Sequence, residues 1–546
     1  MPTGTAQPVT ARLVTHFTRP SRKAGTIGRM THPALRYSLA GIAAATLALG
    51  VGELVAGLVP GTPSPVVAIG AAIIELQPPG AKDVVVALFG QNDKLALEAL
   101  IVGVVMALAA GLGLLATRAP SVARAGVIGL VGVAVLAALW ALRANTVLAL
   151  GSGVVIVLVG LRALDRLVPL AGGAVAEARP AGPGKEPPPL PDRRRFLAAA
   201  SVAGIAGLLA GGLGRSLLAG RAAAQDEAAI TIPPPIEPAD PLPAGAALDV
   251  PGITPLVVPN DRFYRIDTAL IVPSVDLATW RLSLRGMVER EVTLTFEELV
   301  GLPLVERYVT IACVSNEVGG DLVGNAKWTG VRLTDLLEMA GVRPGATQIV
   351  PRSVDGWTAG FPTAWVTQQE RDALVAVEMN DVPLPVEHGF PARLIVPGLY
   401  GYVSATKWLS EIELTTLEAF DAYWVPRGWA KEAPILTQSR IDTPRGTGRV
   451  LAAGRVPVAG VAWAPERGIR AVEVAVDGGP WQPARRGAAS SDQTWVQWRY
   501  DWEATPGVHR LTVRATDGTG EVQTASRTAP APDGARGHHS VEVVVG

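Results

Sequence analysis

The stretch YVTIACVSNEVGG, residues 308–320, contains Cys313, which is the only cysteine in a chain of 546 residues. One cysteine cannot form an intramolecular disulfide, and it cannot supply the several thiolates that a cysteine-only zinc or iron–sulfur site requires. Two interpretations of Cys313 remain. It is either a small buried apolar side chain, as free cysteines usually are, or a single thiolate that ligates a metal or attacks a substrate. The stretch alone leaves both interpretations open.

The amino-terminal part of the chain is strongly apolar. Up to about residue 220 it is rich in Ala, Leu, Val and Gly, and it contains five apolar runs, each long enough to cross a bilayer as a helix. The runs cover residues 37–59, 95–116, 125–142, 146–161 and 196–219. A sixth apolar piece, VVAIGAAIIEL at 66–76, is too short to span and is predicted to be re-entrant or interfacial. Glu53 and Glu98 fall near the outer ends of their runs, where we expect both carboxylates to reach water.

The positions of basic residues predict the orientation of these spans. Clusters of arginine and lysine occupy the tail 1–36 and the loops after the second and fourth runs, and such segments stay in the cytoplasm. The residues are Arg12, Arg19, Arg22, Lys23, Arg29, Arg36, Arg118, Arg124, Arg162, Arg166 and Arg179. An odd number of crossings from a cytoplasmic start then places everything after the fifth run outside. We therefore predict a multi-pass protein of a bacterial cytoplasmic membrane, embedded in lipid, with its catalytic domain on the outer side.

The fifth run is preceded by Asp192-Arg193-Arg194-Arg195-Phe196-Leu197. A twin arginine followed by Phe-Leu and an apolar run is the signature of the twin-arginine export route, although here it is internal. That route carries folded proteins, often with cofactors already bound. The alternative is an ordinary patch of positive charge that fixes the topology of the helix after it.

Sequence pattern divides the chain into seven parts. The amino-terminal half is predicted to comprise a cytoplasmic tail (1–36), four transmembrane helices (37–165), a cytoplasmic linker that ends in the twin arginine (166–195) and a fifth transmembrane helix (196–220). Residues 221–258, rich in Pro and Ala, are predicted to be a linker. Strand-like and helix-like segments mix in 259–430, which predicts an α+β domain. Short alternating strands between Gly, Asp and Pro turns in 431–546 predict a β-sandwich.

Composition excludes two classes of function. The chain has 48 basic and 48 acidic residues, so its net charge is zero and nothing indicates binding to nucleic acid. Its six histidines all lie outside the apolar runs, which argues against a bis-histidine haem in the membrane spans. The histidines are His16, His32, His388, His509, His538 and His539.

Five motifs follow one another through the soluble half. They are FYRIDTAL at 263–270, IACVSNE at 311–317, NAKWTGVRLTDLL at 325–337, EMNDVPLPVEHGFPARLIVPGLYGYVSATKWL at 378–409 and VAGVAWAPERGIRAVEVAVDGGPWQPA at 458–484. In order, spacing and content they resemble the sulfite oxidase family of molybdenum enzymes over residues 255–525. The resemblance implies a molybdopterin-binding α+β domain followed by an immunoglobulin-like β-sandwich, and it does not extend to the membrane helices.

The resemblance also implies a cofactor and its ligands. Cys313 matches the thiolate that holds molybdenum, and a single pyranopterin dithiolene would supply two further sulfurs. The segment from His388 to Arg393 matches the pterin-binding stretch, and the turn 404–407 matches the phosphate-binding turn. The implied cofactor-binding residues are Asn260, Tyr264, Arg265, Ser353, His388, Arg393, Ser404, Thr406 and Lys407.

The chain departs from sulfite oxidases near the cysteine. Glu317 and Val318 stand where those enzymes carry arginine, and FYRIDTAL brings an additional carboxylate, Asp267. Since cations help to attract and hold anions, we expect sulfite to be a poor substrate. The leading hypothesis is oxygen-atom transfer to or from a small sulfur or nitrogen oxide.

The partners implied are a small oxide substrate and a separate electron donor or acceptor, such as a quinone, a cytochrome or a membrane redox protein. A homodimer through the carboxy-terminal domain is a further possibility. Two other hypotheses remain open at this point. One is a thiol enzyme or hydrolase that uses Cys313 with His388 as its base, and the other is an anchored scaffold with a degenerate cofactor site.

Overall fold

The computed structural model describes residues 33–78, 93–142, 144–172, 193–226, 230–367, 371–446 and 450–546. Most of the predicted cytoplasmic tail and residues 173–192 of the predicted cytoplasmic linker therefore lie outside the described residues. The described chain consists of an α-helical amino-terminal part and a β-rich carboxy-terminal part.

Within its described residues, the amino-terminal part contains six helices. They are α1 (Pro33–Leu58), α2 (Pro65–Leu76), α3 (Asp93–Leu115), α4 (Pro120–Ala141), α5 (Thr146–Gly172) and α6 (Arg193–Asp226). All except α2 are long and apolar enough to cross a membrane, and they cover the five predicted runs to within one residue. The short helix α2 corresponds to the sixth apolar piece. It begins at Pro65, and the side chain of Ser64 caps it by accepting a hydrogen bond from the backbone N–H of Val67 at 3.2 Å.

Small residues let α1 and α6 pack closely. Gly207 of α6 lies against the backbone of α1, where a Cβ atom would overlap the carbonyl group of Thr46. Gly214, two turns further along α6, is pressed in the same way against Glu53. Stripes of small residues are the usual means by which helices approach each other in membranes.

Replacing Gly207 by valine is therefore expected to destabilise the helical part by about 3 kcal/mol, because a clash with backbone atoms cannot be relieved by rotating a side chain. Gly204 lies one turn earlier on α6 and has nothing within 4 Å of its Cβ position, so Gly204→Val is the matched control. Thermal unfolding of the two variants in the same detergent measures the difference. Equal unfolding temperatures would contradict close packing at this crossing.

Glu53 does not reach water, which corrects the expectation from its position in the sequence. Its side chain is only 5% exposed, and it forms an ion pair with Arg215 of α6 at 3.0 Å. Arg215 also pairs with Glu98 of α3 at 3.1 Å, and Ser64 donates a hydrogen bond to Glu53 at 2.7 Å. Three helices and the start of α2 are therefore joined by one polar cluster.

The next part of the chain, 259–430, forms two sheets. Its strands are β1 (Leu282–Gly286), β2 (Val292–Leu294), β3 (Leu304–Ala312), β4 (Val323–Arg332), β5 (Gln348–Ser353), β6 (Phe361–Pro362), β7 (Leu374–Met379), β8 (Val382–Pro383), β9 (Arg393–Ile395) and β10 (Leu409–Thr415). One sheet has the order β2-β1-β10-β5-β6, in which only β1 and β10 are parallel. The other has the antiparallel order β3-β4-β7-β8, and β9 also pairs with β7.

Four short helices connect these strands. They are α7 (Phe296–Val300), α8 (Leu333–Ala340), α9 (Ala364–Thr367) and α10 (Gly401–Ser404). The predicted helix at 333–339 agrees with α8, whose end is set by Gly341 at a positive φ of 68°. Helix α7 begins with a capping box in which Thr295 and Glu298 bond each other's backbone N–H groups.

The carboxy-terminal part contains two further sheets. Its strands are β11 (Gln438–Thr443), β12 (Val450–Leu451), β13 (Gly454–Trp463), β14 (Ile469–Val476), β15 (Gln482–Pro483), β16 (Arg485–Arg486), β17 (Val496–Ala504), β18 (Gly507–Asp517) and β19 (His539–Val545). The sheet orders are β11-β13-β17-β16 and β12-β19-β18-β14-β15. Alternate side chains of these strands form a separate apolar core that includes Val458, Trp498 and Leu511.

The residues predicted to be a linker pack along the part 259–430 where they are described. The backbone N–H of Ile236 donates to the carbonyl of Leu304 in β3 at 2.9 Å, and the carboxylate of Glu237 pairs with Arg307 at 2.8 Å. Further along, Leu256 and Val258 are buried in the main core. This stretch therefore contributes to the domain that it precedes.

Candidate active site

Cys313 follows β3 at the start of a loop that the chain holds rigidly. Its backbone N–H donates to the carbonyl of Leu322 at 2.9 Å, and its own carbonyl accepts from Asn316 at 3.0 Å. The side chain of Asn316 closes the loop by accepting from the backbone N–H of Leu322 at 2.9 Å. Arg440, from β11, donates to the carbonyl of Gly320 at 2.7 Å, so the carboxy-terminal part supports the same loop. The thiol is thus held in place from both sides.

Cys313 lines an open cavity. Aromatic and charged side chains make up most of its wall, and they come from five separate stretches of the chain. The aromatic and charged ones are Phe263, Tyr264, Asp267, Asp355, Trp357, Arg393, Tyr402, Lys407, Trp408, Trp424 and Trp429, and Ser353 also lines the cavity. Such a mixture of apolar surface and a few convergent polar groups is typical of a ligand site.

Five of the ten residues predicted from the sequence lie in the cavity wall. They are Cys313, Tyr264, Ser353, Arg393 and Lys407. The other five are Asn260, Arg265, His388, Ser404 and Thr406, and they are not among the residues that line the cavity. Two of these contact wall residues from outside the cavity: Arg265 pairs with Asp267, and the carbonyl of His388 accepts a hydrogen bond from Arg393.

His388 and Asn260 form a support behind the wall. The Nε2 atom of His388 lies 2.8 Å from the carbonyl oxygen of Asn260, which assigns the ring proton to Nε2. Burial lowers the pKa of His388 to about 4, and the nearby cations Lys407 and Arg393 act in the same direction. The imidazole is therefore neutral at pH 7. Its Nδ1 atom is buried without a hydrogen-bond partner among the described residues, so it is an available acceptor.

Arg393 is a fully buried cation. Its Nη1 atom donates to the carbonyl of His388 at 3.0 Å, and its guanidinium lies 4.9 Å from the ring centre of Trp328. Burial lowers the pKa of Arg393 to about 10, which still leaves it charged at neutral pH. Its Nε atom and the hydroxyl of Thr406 are buried, and neither has a partner within the described part of the chain. Ser404 differs, because its hydroxyl already donates to the carbonyls of Leu399 and Tyr400.

Asp267 is the centre of an ion cluster at the cavity wall. Its carboxylate pairs with Lys407 at 3.1 Å, with Arg265 at 2.9 Å and with Lys94 of α3. Burial by itself would raise the pKa of Asp267, but Lys407, Lys94 and Arg265 outweigh it and hold that pKa well below its usual range. Burial also lowers the pKa of Lys407 to about 8, an effect that the charge of Asp267 limits. The cluster has more cations than carboxylates, and Glu317 is not part of the wall.

Sequence reasoning missed several wall residues. Trp357, Trp424 and Trp429 add aromatic surface, and burial raises the pKa of Asp355 above its usual value. Tyr402 lies inside the motif at 378–409 and could have been found there. Lys94 does not line the cavity but contacts the wall residue Asp267. Its role could not be found from the sequence, because 173 residues separate the two and Lys94 belongs to the amino-terminal helical part.

The unpartnered groups fit a molybdenum pterin cofactor. A pterin offers both N–H donors and acceptor atoms, which suit the free Nδ1 of His388 and the buried N–H of Arg393. A phosphate group suits the cations Arg393 and Lys407 together with the hydroxyl of Thr406. Cys313 offers the soft thiolate that molybdenum accepts.

Comparison with known proteins shows what this part of the chain is similar to. The model of the oxidoreductase molybdopterin binding domain matches residues 269–424. The uncharacterized oxidoreductase YuiH of Bacillus subtilis is 34% identical over 154 residues, which are 28% of this chain and 74% of that protein. Human mitochondrial sulfite oxidase is 30% identical over 271 residues, which are 42% of this chain and 49% of that protein.

The chain belongs to the sulfite oxidase family. Its other relatives include the sulfite oxidase of Arabidopsis thaliana, 28% identical over 333 residues, which are 50% of this chain and 83% of that protein. Among solved structures, the sulfane dehydrogenase SoxCD from Paracoccus pantotrophus matches 49% of this chain and 75% of that one, at 24% identity and a TM-score of 0.45. This family member spans about half the length of the mammalian sulfite oxidases that it matches.

Proposed function

We propose that this protein is a membrane-anchored, molybdopterin-dependent oxidoreductase that transfers an oxygen atom to or from a small sulfur or nitrogen oxide. The observation that carries the proposal is the position of Cys313. It sits in a rigid loop facing a cavity beside Arg393 and Lys407, with buried groups nearby that lack partners in the described chain. A structural cysteine would require neither the cavity nor the cations.

Each residue of the site has a proposed role. Cys313 would ligate the metal, and His388 would accept a hydrogen bond from the pterin at Nδ1. Arg393, Lys407 and Thr406 would hold the phosphate, while Ser404 shapes the turn that carries them. When bound, the cofactor would supply a metal that exchanges an oxygen atom and two electrons with the substrate.

The remaining predicted residues orient these groups. Asn260 fixes the proton of His388 on Nε2, and Arg265 holds Asp267 against Lys407. Burial raises the pKa of Tyr264 far above its usual value, so its hydroxyl stays protonated and can donate a hydrogen bond into the cavity. Ser353 lines the cavity near Trp357, and the aromatic side chains keep water away from the reacting atoms.

A thiol enzyme would need His388 to act as the base for Cys313. Because the pKa of His388 lies at about 4, it is poorly matched to proton abstraction at neutral pH. The molybdopterin proposal is therefore favoured over this alternative.

The wall favours a neutral substrate. Its two cations are already engaged, since Lys407 bonds Asp267 and the carbonyl of Glu387 at 2.8 Å, and Arg393 bonds the carbonyl of His388. In the proposed assignment both also serve the cofactor phosphate. An anion such as sulfite therefore meets few free cations, whereas a sulfoxide or N-oxide can pack on the aromatic surface.

Location and partners are part of the same proposal. We propose that α1 and α3–α6 span a bacterial cytoplasmic membrane, that twin-arginine export places the catalytic domain outside, and that the spans hold no haem. Electrons would then pass to or from a separate quinone, cytochrome or membrane redox protein. The carboxy-terminal sheets are proposed to be an immunoglobulin-like domain that can mediate dimerisation.

The proposal is tested on purified full-length protein. We expect about one molybdenum and one pterin per chain, because the site has one thiolate and one set of phosphate ligands. With an artificial electron dye, kcat/KM for sulfoxide or N-oxide reduction should exceed that for sulfite oxidation at the same ionic strength.

Two outcomes would contradict parts of the proposal. Protein without molybdenum or pterin, prepared from cells that make the cofactor, would exclude the enzyme class. A kcat/KM for sulfite of about 10⁴ M⁻¹s⁻¹ or more, which is the ordinary enzymatic range, would overturn the preference for a neutral oxide.

A further inference from the structure

The helical part of the chain contacts the catalytic domain through charged residues. Lys94, in the first turn of α3, pairs with Asp267 and donates to the carbonyl of Ala269 at 2.7 Å. Arg427 of the catalytic domain pairs with Glu75, at the end of α2, at 2.8 Å. These contacts join the membrane helices to the catalytic domain. The family match covers residues of that domain and none of the membrane helices.

The helix that carries Lys94 is itself tied to neighbouring helices. Glu98 lies four residues later and therefore on the same face of α3. It pairs with Arg215 of α6, which also pairs with Glu53 of α1. One turn away from Lys94, helix α3 is thus linked by ion pairs to α6 and, through Arg215, to α1. These links fix the position from which Lys94 reaches Asp267.

The two carboxylate oxygens of Asp267 pair with cations from different halves of the chain. Oδ1 pairs with Lys94, while Oδ2 pairs with Arg265 at 2.9 Å and with Lys407 at 3.1 Å. Asp267 is 6% exposed and Lys407 is 9% exposed at their side chains, so water screens this pair little. Lys407 in turn donates to the carbonyl of Glu387 at 2.8 Å. Without Lys94, Oδ1 loses its cation, and the carboxylate that anchors Lys407 is free to turn.

We propose that Lys94 is a positioning residue of the cofactor site, so that a membrane helix completes the active site of the catalytic domain. Lys94 acts through Asp267, and Asp267 fixes the ammonium group of Lys407 in the cavity wall. The inference rests on the proposed function only in assigning Lys407 to the cofactor. The contact itself, and its transmission to Lys407, can be tested without any turnover.

The test uses full-length protein in detergent and the variant Lys94→Met, which keeps the length of the side chain and removes its charge. Hydrogen exchange is measured by mass spectrometry in peptides that cover 263–270 and 386–408. We expect exchange in both to rise by about tenfold, the ratio that corresponds to loss of a hydrogen bond to a charged group. In the loaded enzyme, kcat should fall by about tenfold while KM stays within about twofold, because Lys94 does not touch the substrate. Lys94→Arg should restore both measurements.

Glu75→Gln is the matched control, since it removes a second charged contact between the two halves, that of Glu75 with Arg427, without touching the cavity wall. It should speed exchange around Arg427 and leave 263–270, 386–408 and kcat unchanged. Wild-type exchange in Lys94→Met would overturn the proposal, and so would a rise confined to 263–270, because the effect would then stop at Asp267. If exchange rises in both peptides but the wild-type protein holds no molybdenum or pterin, the positioning contact stands and the proposed function fails.

Discussion

Cys313→Ser is expected to reduce turnover by at least about 10³-fold, equivalent to roughly 4 kcal/mol in the activation barrier. A hydroxyl is a harder and poorer ligand than a thiolate for a metal that prefers sulfur. Pterin should remain largely bound, since the proposed pterin and phosphate contacts come from His388, Arg393 and Lys407 rather than from the cysteine. Dye-linked turnover and pterin fluorescence, measured on the same preparation, give both quantities.

Retention of the fold is checked in that variant by thermal unfolding. The loop that carries residue 313 is held by backbone bonds to Leu322 and Asn316, which a serine leaves intact. A large loss of pterin together with lost turnover would move the role of Cys313 from the metal to the general stability of the site. Full activity of Cys313→Ser would rule out the metal-ligand assignment.

Replacing Arg193 and Arg194 by lysine is expected to leave the first four spans inserted and to trap the soluble half inside the cell. Lysine keeps the positive charge, so the general preference of cationic segments for the cytoplasm is unchanged. Only a receptor that reads the arginine pair distinguishes the two residues. Protease treatment of spheroplasts should cleave the soluble half of the wild type and spare that of the variant.

Arg162 and Arg166 provide the matched control for that experiment. Both lie on α5 towards its carboxy-terminal end, and both are predicted to be cytoplasmic. Their joint replacement by lysine should leave cleavage as in the wild type. If the twin-arginine variant is also cleaved normally, the arginines act only through their charge and the export signal is refuted.

The features that could be predicted from the sequence are those with a local pattern or a motif. The five long helices appear as apolar runs, and α8 ends at Gly341 as expected. Cys313 and Arg393 were found because their motifs resemble those of a known family. They then prove to lie in the wall of one cavity, although 80 residues separate them in the chain.

Contacts between distant parts of the chain leave no such pattern. Glu53 looked like a carboxylate near water, but its partner Arg215 lies on a helix that begins far along the chain. Asp267 looked like an additional negative charge in the pocket, and three cations surround it. In both cases the sequence gives the charge of the residue. It does not give the oppositely charged partner that neutralises this charge in the folded protein.

The contact between Lys94 and Asp267 also has a consequence for the order of assembly. The twin arginine predicts that the soluble half is exported already folded. In that case Asp267 crosses the membrane with the folded domain, after the helix that contains Lys94 has been inserted. The two residues can meet only after translocation. Cofactor loading would then take place in a domain whose cavity still lacks its membrane-helix support, and the site would reach its final geometry only on the outer face. The protein would thus be synthesised and loaded on one side of the membrane and become fully active on the other, once the ion pair between Lys94 and Asp267 has formed.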